Sequence, residues 1–319
     1  MRGETAAWFE RASSRWSDWD VAALCAAKGN LRVSVVIPAR DEAATIAGIV
    51  GEIRTQLVER YPLVDELVVM DSDSLDSTAT LAAEHGAQVH AVRSVRPDLG
   101  EFGGKGEALW KSLFVTSGDL LVFVDADLVE WGPHFVSGLL GPMLAHPRVA
   151  LVKGYYDRLA EGESNVHGPQ GGRVTELVAR PLLNLRWPEL AAVVQPLAGE
   201  WAVRRTSIEQ LSIPVGYGVE MAVLLDVFAR EGLDAIAQVD LGERAHAHQS
   251  VHDLAVMAAE VLQTAARRAG VPAPDQSQSQ LWQFDRDAVP PWRARAVPLA
   301  ERPPALSVEG YPTIPERAC

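Results

Sequence analysis

Residues 119–127 read DLLVFVDAD, five consecutive apolar residues followed by two carboxylates one position apart. A run without polar alternation predicts a strand buried on both faces, and such strands belong to parallel sheets covered by helices on either side. The pattern repeats outward in VSVVIP (33–38), ELVVMD (66–71) and AQVHAV (87–92), all rich in β-branched residues. Between these runs the apolar spacing becomes helical. Ile46, Ile49, Val50, Ile53 and Leu57 line one face over 42–60, Asp76 or Ser77 caps a helix reaching His85, and 105–116 form a third. Strands alternating with helices predict an α/β fold with a doubly wound, mostly parallel sheet.

Ligands on such sheets bind beyond the carboxyl ends of the strands, which here read PARDE, MDSDS and DAD. Asp125 and Asp127 supply hard oxygen ligands suited to Mg²⁺ or Mn²⁺, which can hold a leaving diphosphate. A solvated strand end competes with that reading, because Asp71-Ser72-Asp73 has the same spacing. The longer apolar run favours 125–127. Pro38 ends the first strand, and Asp41 with Glu42 suits a helix N-terminus. GGKGEALW (103–110) sets Lys105 at a helix start, where open N–H groups and one ammonium suit a diphosphate. It is neither a P-loop nor G-x-G-x-x-G, which argues against a kinase or a dinucleotide enzyme.

The second half is mixed. Strands are expected at 148–156 and 234–242, and helices at 219–230 and 250–269. A polar, Gly-rich stretch (161–172) reads as a mobile loop, and the helix opening at 172–185 should bend or end at Pro181. Arg173 and Thr175 in its first turn form either a cradle for phosphate or carboxylate or an ordinary helix start. His246 and His248 share one side of an extended segment, as a metal ligand or as a solvated pair. Hydrolase patterns such as G-x-S-x-G and H-E-x-x-H are missing from the sequence. From 271 onward Pro, Gln, Ser and Arg dominate, so 271–319 read as an extended tail, wrapped on the body or on a partner subunit.

Composition bounds the partners. Of 319 residues, 48% are hydrophobic and 22% charged, as in globular proteins, and the net charge of −13 repels nucleic acid and anionic membranes. No run nears the roughly 18 apolar residues of a membrane span. The N-terminus is polar, and Cys25 and Cys319 are too few and too far apart for a disulfide framework. The expected address is cytoplasmic.

VSVVIPARDEAATI, VDELVVMDSDSLDST, GKGEALWKSL, TSGDLLVFVDADL, GGRVTELVARPLL, QPLAGE, PVGYGVEM and GLDAIAQVDLGERAH stand in this order over 31–270. Together they resemble the glucosyl-3-phosphoglycerate synthases, retaining glycosyltransferases of the GT-A fold whose family includes mannosyl-3-phosphoglycerate synthases. The resemblance implies an N-terminal extension (1–30), a catalytic domain (31–270) with a Rossmann-like nucleotide-sugar half (31–130) and a mixed acceptor half (131–270), and the tail. It implies transfer of glucose from UDP-glucose to 3-phosphoglycerate with Mg²⁺ or Mn²⁺, by a homodimer. Pro38, Ala39, Arg40, Asp41, Glu42, Ser72, Lys105, Asp125, Ala126 and Arg244 would hold the nucleotide sugar, with Tyr217, Gly218, Val219 and Glu220 around the sugar. Gly172, Arg173, Val174, Thr175 and His248 would hold the acceptor, and Asp127 and His246 the metal. Leu197, through its carbonyl, Glu220 and Lys105 would serve the reaction itself.

Three departures stand out. DADL replaces DSDL, DSDS (71–74) replaces DSGS and adds a carboxylate beside the base, and His248 stands where an asparagine is expected. The rival readings are a mannosyl-3-phosphoglycerate synthase using GDP-mannose, a non-catalytic nucleotide-sugar-binding protein and a nucleotidyltransferase.

Overall fold

The computed structural model describes residues 3–159, 172–245, 250–272, 279–287 and 289–312. The strands are β1 (Ser13–Arg15), β2 (Val33–Ala39), β3 (Glu66–Asp71), β4 (Gln88–Ala91), β5 (Leu120–Phe123), β6 (Leu151–Leu159), β7 (Trp201–Arg204), β8 (Ile213–Pro214) and β9 (Ile236–Ala245). All but β8 join one eight-stranded sheet in the order β1-β9-β6-β7-β5-β2-β3-β4. Every pairing is parallel except those of β7, which runs antiparallel to both β5 and β6. After the edge strand β1 the chain lays down β2, adds β3 and β4 on one side, then returns to β5 on the other. The strand order therefore reverses between β2 and β5, where Val36 faces Phe123, and a crevice opens beyond their carboxyl ends.

The helices are α1 (Gly3–Ala12), α2 (Val21–Lys28), α3 (Ile46–Ile53), α4 (Thr78–Glu84), α5 (Lys105–Ser112), α6 (His134–Ala145), α7 (Arg180–Arg186), α8 (Arg205–Ile208), α9 (Val219–Glu231) and α10 (Val251–Arg268). Because side chains alternate along a strand, the unbroken run of β5 divides between two cores. Leu120, Val122 and Val124 pack with α2, α3 and α6, whereas Leu121 and Phe123 pack with α5, α9 and α10. Both faces are covered, so no alternation is needed.

The structure departs from the sequence reading at several points. The first helix after β2 starts at Ile46, because 42–46 form a turn closed by Thr45 and Ile46 N–H groups on the Glu42 carbonyl. The helix of 105–116 ends at Ser112. Pro181 does not end the helix at 173–186. A wide i→i+5 turn at Thr175–Ala179 precedes it, shifting the ladder so that the missing N–H is not needed. The expected loop at 161–172 falls almost wholly outside the described residues.

Residues 3–30 are part of the body. β1 pairs with β9, and Trp8 is fully buried with its indole N–H on the Ile236 carbonyl. The tail also folds back. β10 (Gln280–Phe284) and β11 (Trp292–Ala296) form a hairpin, and β12 (Glu301–Arg302) pairs antiparallel with β8. Arg302 is buried there against Glu107, at 2.6 and 2.7 Å, and donates to the carbonyls of Leu99 and Gly100.

Candidate active site

The loops after β2 and β3 are knit together at the crevice. Asp41 adopts a left-handed backbone (φ 56°), which a short polar side chain tolerates, and its carboxylate accepts the Leu75 N–H at 2.7 Å. The Asp41 N–H in turn reaches Ser74 Oγ, and those of Glu42 and Ala43 reach Thr78 Oγ1 and Asp76. Asp76, rather than Ser77, caps α4, accepting from the Thr78 N–H and hydroxyl. Ser72 N–H donates to the Ala39 carbonyl, so Pro38, Ala39 and Ser72 lie side by side at the strand ends. Arg40 is exposed, and its ion pair among the described residues is a long 3.9 Å contact to Asp41. Thr45 Oγ1 donates to the carbonyl of Ala126, joining this corner to the DAD segment.

A charged network fills the floor. Lys105 Nζ lies 2.6 Å from Asp125 Oδ1 and 2.8 Å from Glu220 Oε1. Burial works against its charge, but the two carboxylates outweigh burial and hold the ammonium well above the ordinary lysine range. Arg244 Nη2 donates to Asp127 at 2.7 Å, while Nη1 meets Glu200 at 3.0 Å, Tyr156 Oη at 2.7 Å and Asp125 at 3.7 Å. Five residues expected to serve the donor, its metal or the chemistry (Lys105, Asp125, Asp127, Glu220 and Arg244) are thus one connected cluster.

Nearby, Glu42 is pushed up to about 7, by burial and then by Asp127, Asp125, Asp76 and Asp41. That crowding of negative charge suits a hard divalent cation, and Asp127, half exposed at a strand end, has a carboxylate open to one. No group of three His, Cys, Asp or Glu converges among the described residues. His246 and His248 lie outside the described residues.

The start of α5 differs from the open cradle expected of it. The Glu107 N–H is already donated to the Val215 carbonyl, because Gly106 lacks a Cβ that would fall 1.8 Å from the Pro214 oxygen. The cradle thus has one N–H group fewer, beside the Lys105 ammonium. β8 and the loop behind it pack directly on this helix start. In that loop Tyr217 N–H donates to Glu260 at 2.6 Å, with Gly218, Val219 and Glu220 opening α9.

On the acceptor side, Gly172 and Arg173 begin the helical run, Val174 and Thr175 are buried, and Arg173 is exposed. Arg180 donates to the Val194 carbonyl at 2.6 Å and so ties this helix to the turn at 195–199 that contains Leu197. The turn closes by Ala198 N–H on the Gln195 carbonyl, and Gly199 lets it approach Asp125. A Cβ there would lie 2.1 Å from Asp125 Oδ2.

Sequence reasoning missed Lys153, Glu200 and Glu260. Lys153 stands fully buried within an apolar strand, with Nζ on the Ala198 carbonyl at 2.7 Å. A charged residue inside such a run was the available signal. Glu200 and Glu260 take meaning only from partners 44 and 43 positions away.

The family model described as glycosyl transferase family 2 matches residues 34–209. The glucosyl-3-phosphoglycerate synthase of Mycolicibacterium smegmatis is 44% identical over 303 residues, 94% of this chain and 98% of that protein. The synthase of Petrotoga mobilis is 44% identical over 241 residues, 76% of this chain and 74% of its own. Among solved structures, the Mycobacterium tuberculosis synthase in complex with Mn²⁺, UDP-glucose and phosphoglyceric acid superimposes with a TM-score of 0.80 at 43% identity, covering 90% of this chain and 95% of the other. A further structure of that synthase holds Mn²⁺, UDP and glucosyl-3-phosphoglycerate, with a TM-score of 0.79.

Proposed function

The chain belongs to glycosyl transferase family 2 and, within it, to the glucosyl-3-phosphoglycerate synthases, and on that premise we propose that it transfers glucose from UDP-glucose to 3-phosphoglycerate. The observation that carries this reading is the Lys105 ammonium, held between Asp125 and Glu220 beside Asp127 at the point where the strand order reverses. A binding module has no use for so costly a buried cluster, whereas a transferase needs cationic charge where a diphosphate departs.

In this reading the loops at 38–42 and Ser72 receive the nucleotide, and Asp125 and Ala126 carry its ribose end. Asp127 and His246 hold the divalent cation, which when bound supplies positive charge to the leaving diphosphate. Lys105 donates to the same diphosphate as the C1–O bond lengthens, and Glu220 keeps that ammonium charged while it orients sugar hydroxyls through the Tyr217–Glu220 segment. Arg244 holds Asp127 and Asp125 apart at fixed spacing, so the carboxylates need not reorganise. Gly172, Arg173, Val174, Thr175 and His248 receive the phosphoglycerate, and the Leu197 carbonyl accepts a hydrogen bond from its hydroxyl. Attack from the face that the diphosphate leaves forms the new C1–O bond as the bond to the diphosphate breaks, the hydroxyl proton passes to the departing diphosphate oxygen, and retention follows without a nucleophile from the protein. The enzyme works as a homodimer in the cytoplasm; among the described residues no helix is long and apolar enough to cross a membrane.

The test is to supply UDP-glucose or GDP-mannose with 3-phosphoglycerate and Mn²⁺ or Mg²⁺. Release of UDP with a glucosylated product by mass spectrometry is expected. Turnover with GDP-mannose alone, or pyrophosphate release, overturns the reading.

A further inference from the structure

Lys153 lies on β6, fully buried, opposite Trp201 in the antiparallel register, with its ammonium 5.6 Å from that indole ring. Its direct hydrogen bond goes to a neutral group, the Ala198 carbonyl, at 2.7 Å. Burying a cation is costly, and a partner without charge recovers little of that cost. Burial pushes its pKa down to about 8 and Lys105 adds to the effect, while Glu220, Glu200 and Asp125 hold it partly up. A methionine or leucine would fill this part of the core at lower cost. The ammonium must therefore be kept for what it holds.

What it holds is one end of the 195–199 turn. The other end is fixed from the same strand, where Gln195 Nε2 donates to the Tyr156 carbonyl at 2.5 Å. The exit is fixed twice more. Gly154 N–H donates to the Glu200 carbonyl at 2.9 Å, and Glu200 pairs with Arg244 at 3.0 Å. Asp125 closes over Gly199 so tightly that no side chain fits. Pro196 and Leu197 are the two central residues of this turn, and with both ends anchored the direction of the Leu197 carbonyl is set. The turn also carries a buried acceptor, Gln195 Oε1, that has no hydrogen-bond partner among the described residues.

We propose that Lys153 is a positioning residue for glucosyl transfer, fixing the 195–199 turn so that its backbone meets the acceptor hydroxyl beside the donor's reacting carbon. The proposal rests on the reading of Leu197 given above. It separates two events that a general loss of structure would lower together. Lys153 acts on where the acceptor stands, and it does not touch the nucleotide loops at 38–42 and 72–78.

The experiment compares wild type, Lys153→Met and Lys153→Gln for transfer to 3-phosphoglycerate, for slow hydrolysis of UDP-glucose by water, and for UDP affinity by calorimetry. In Lys153→Met the transfer kcat should fall about 100-fold, the cost of a misplaced reacting group, with UDP affinity and hydrolysis within about threefold of wild type. Lys153→Gln retains a donor and should recover part of the transfer, and it stands as the decisive variant if the methionine protein does not fold. Transfer and hydrolysis falling in parallel, weakened UDP binding, or transfer in both variants within about threefold of wild type overturns the proposal alone. A wild type that forms no product from UDP-glucose and 3-phosphoglycerate overturns the functional reading and this inference with it.

Discussion

The Lys105 ammonium sits 2.6 Å from Asp125 and 2.8 Å from Glu220, so one cation satisfies two carboxylates that come from different sides of the crevice. Lys105→Met leaves both carboxylates short of a partner. The expected loss is about 3–5 kcal/mol of stability and about 10²–10³ in kcat. Lys105→Met/Glu220→Gln, which leaves Asp125 still charged, should regain part of the stability and none of the activity. Thermal melts and steady-state kinetics on both variants check this, and a double variant that regains turnover would refute the role of Lys105.

Glu42 has a pKa near 7, raised by burial and then by Asp127, Asp125, Asp76 and Asp41. A cation bound at Asp127 offsets that repulsion and lowers it again. Binding of Mn²⁺ at pH 7 should thus release about half a proton, read from calorimetry in buffers of different ionisation heat. In Glu42→Gln that release should vanish. Equal proton release from both proteins would show that Glu42 does not sense the metal.

Glu260 is likewise raised to about 7, chiefly by burial and further by Glu220, against the Tyr217 N–H that lowers it. Its folded pKa lies above the unfolded 4.5, so the folded protein retains a proton that the unfolded chain has lost. Stability therefore falls as pH rises from 4.5 through 7, and the cost is complete above that. Glu260→Gln keeps an acceptor for Tyr217 and removes the ionisation. It should be more stable than wild type by about 1–2 kcal/mol at pH 8.5, after allowance for solvent screening, and nearly equal to it at about pH 4. Denaturant midpoints at the two pH values decide it.

Arg173→Ala should raise the KM for 3-phosphoglycerate by about 10–100-fold through loss of a charge-assisted contact, with donor affinity within about twofold. Loss of UDP binding with the acceptor KM intact would reverse the assignment of donor and acceptor sides.

Arg302→Met leaves Glu107 buried with only the weaker contact to Lys111 at 3.5 Å. A loss of about 3 kcal/mol is expected, recovered in part by adding Glu107→Gln. Because Glu107 lies two residues beyond Lys105, kcat should drop by about tenfold even where the variant is fully folded. An unchanged kcat in the folded variant would confine Arg302 to stability.

The sheet and the position of the crevice were legible because both depend on local pattern. Five apolar residues before two aspartates at 120–127 carry strand, burial and ligand edge together. Lys153 and Arg302 were not legible, since their partners Ala198 and Glu107 lie 45 and 195 residues away and no spacing rule connects them. Of the two effects expected of Pro181, bending or ending the helix, the ending does not occur. Its usual effect on a helix was offset by a wide turn that no residue preference announces. The tail reads as extended because Pro-rich composition reports the local chain, and of the two surfaces it could wrap, β12 and Arg302 lie on the body, which composition alone does not say.

Arg302 also sets an order of events during synthesis. The ribosome completes every strand of the central sheet by residue 245, yet the brace that holds the start of α5 comes only with 300–302, through the Ala300 carbonyl on the Val215 N–H and Arg302 on Glu107. A nascent chain can thus fold its body and still hold Lys105 on a slack helix end. A chain stopped after residue 298 should show the far-ultraviolet spectrum of a folded protein and fail to turn over UDP-glucose. Competence thus depends on residues 300–302, made well after the sheet is complete, so a folded body and a working site are separate events along this chain.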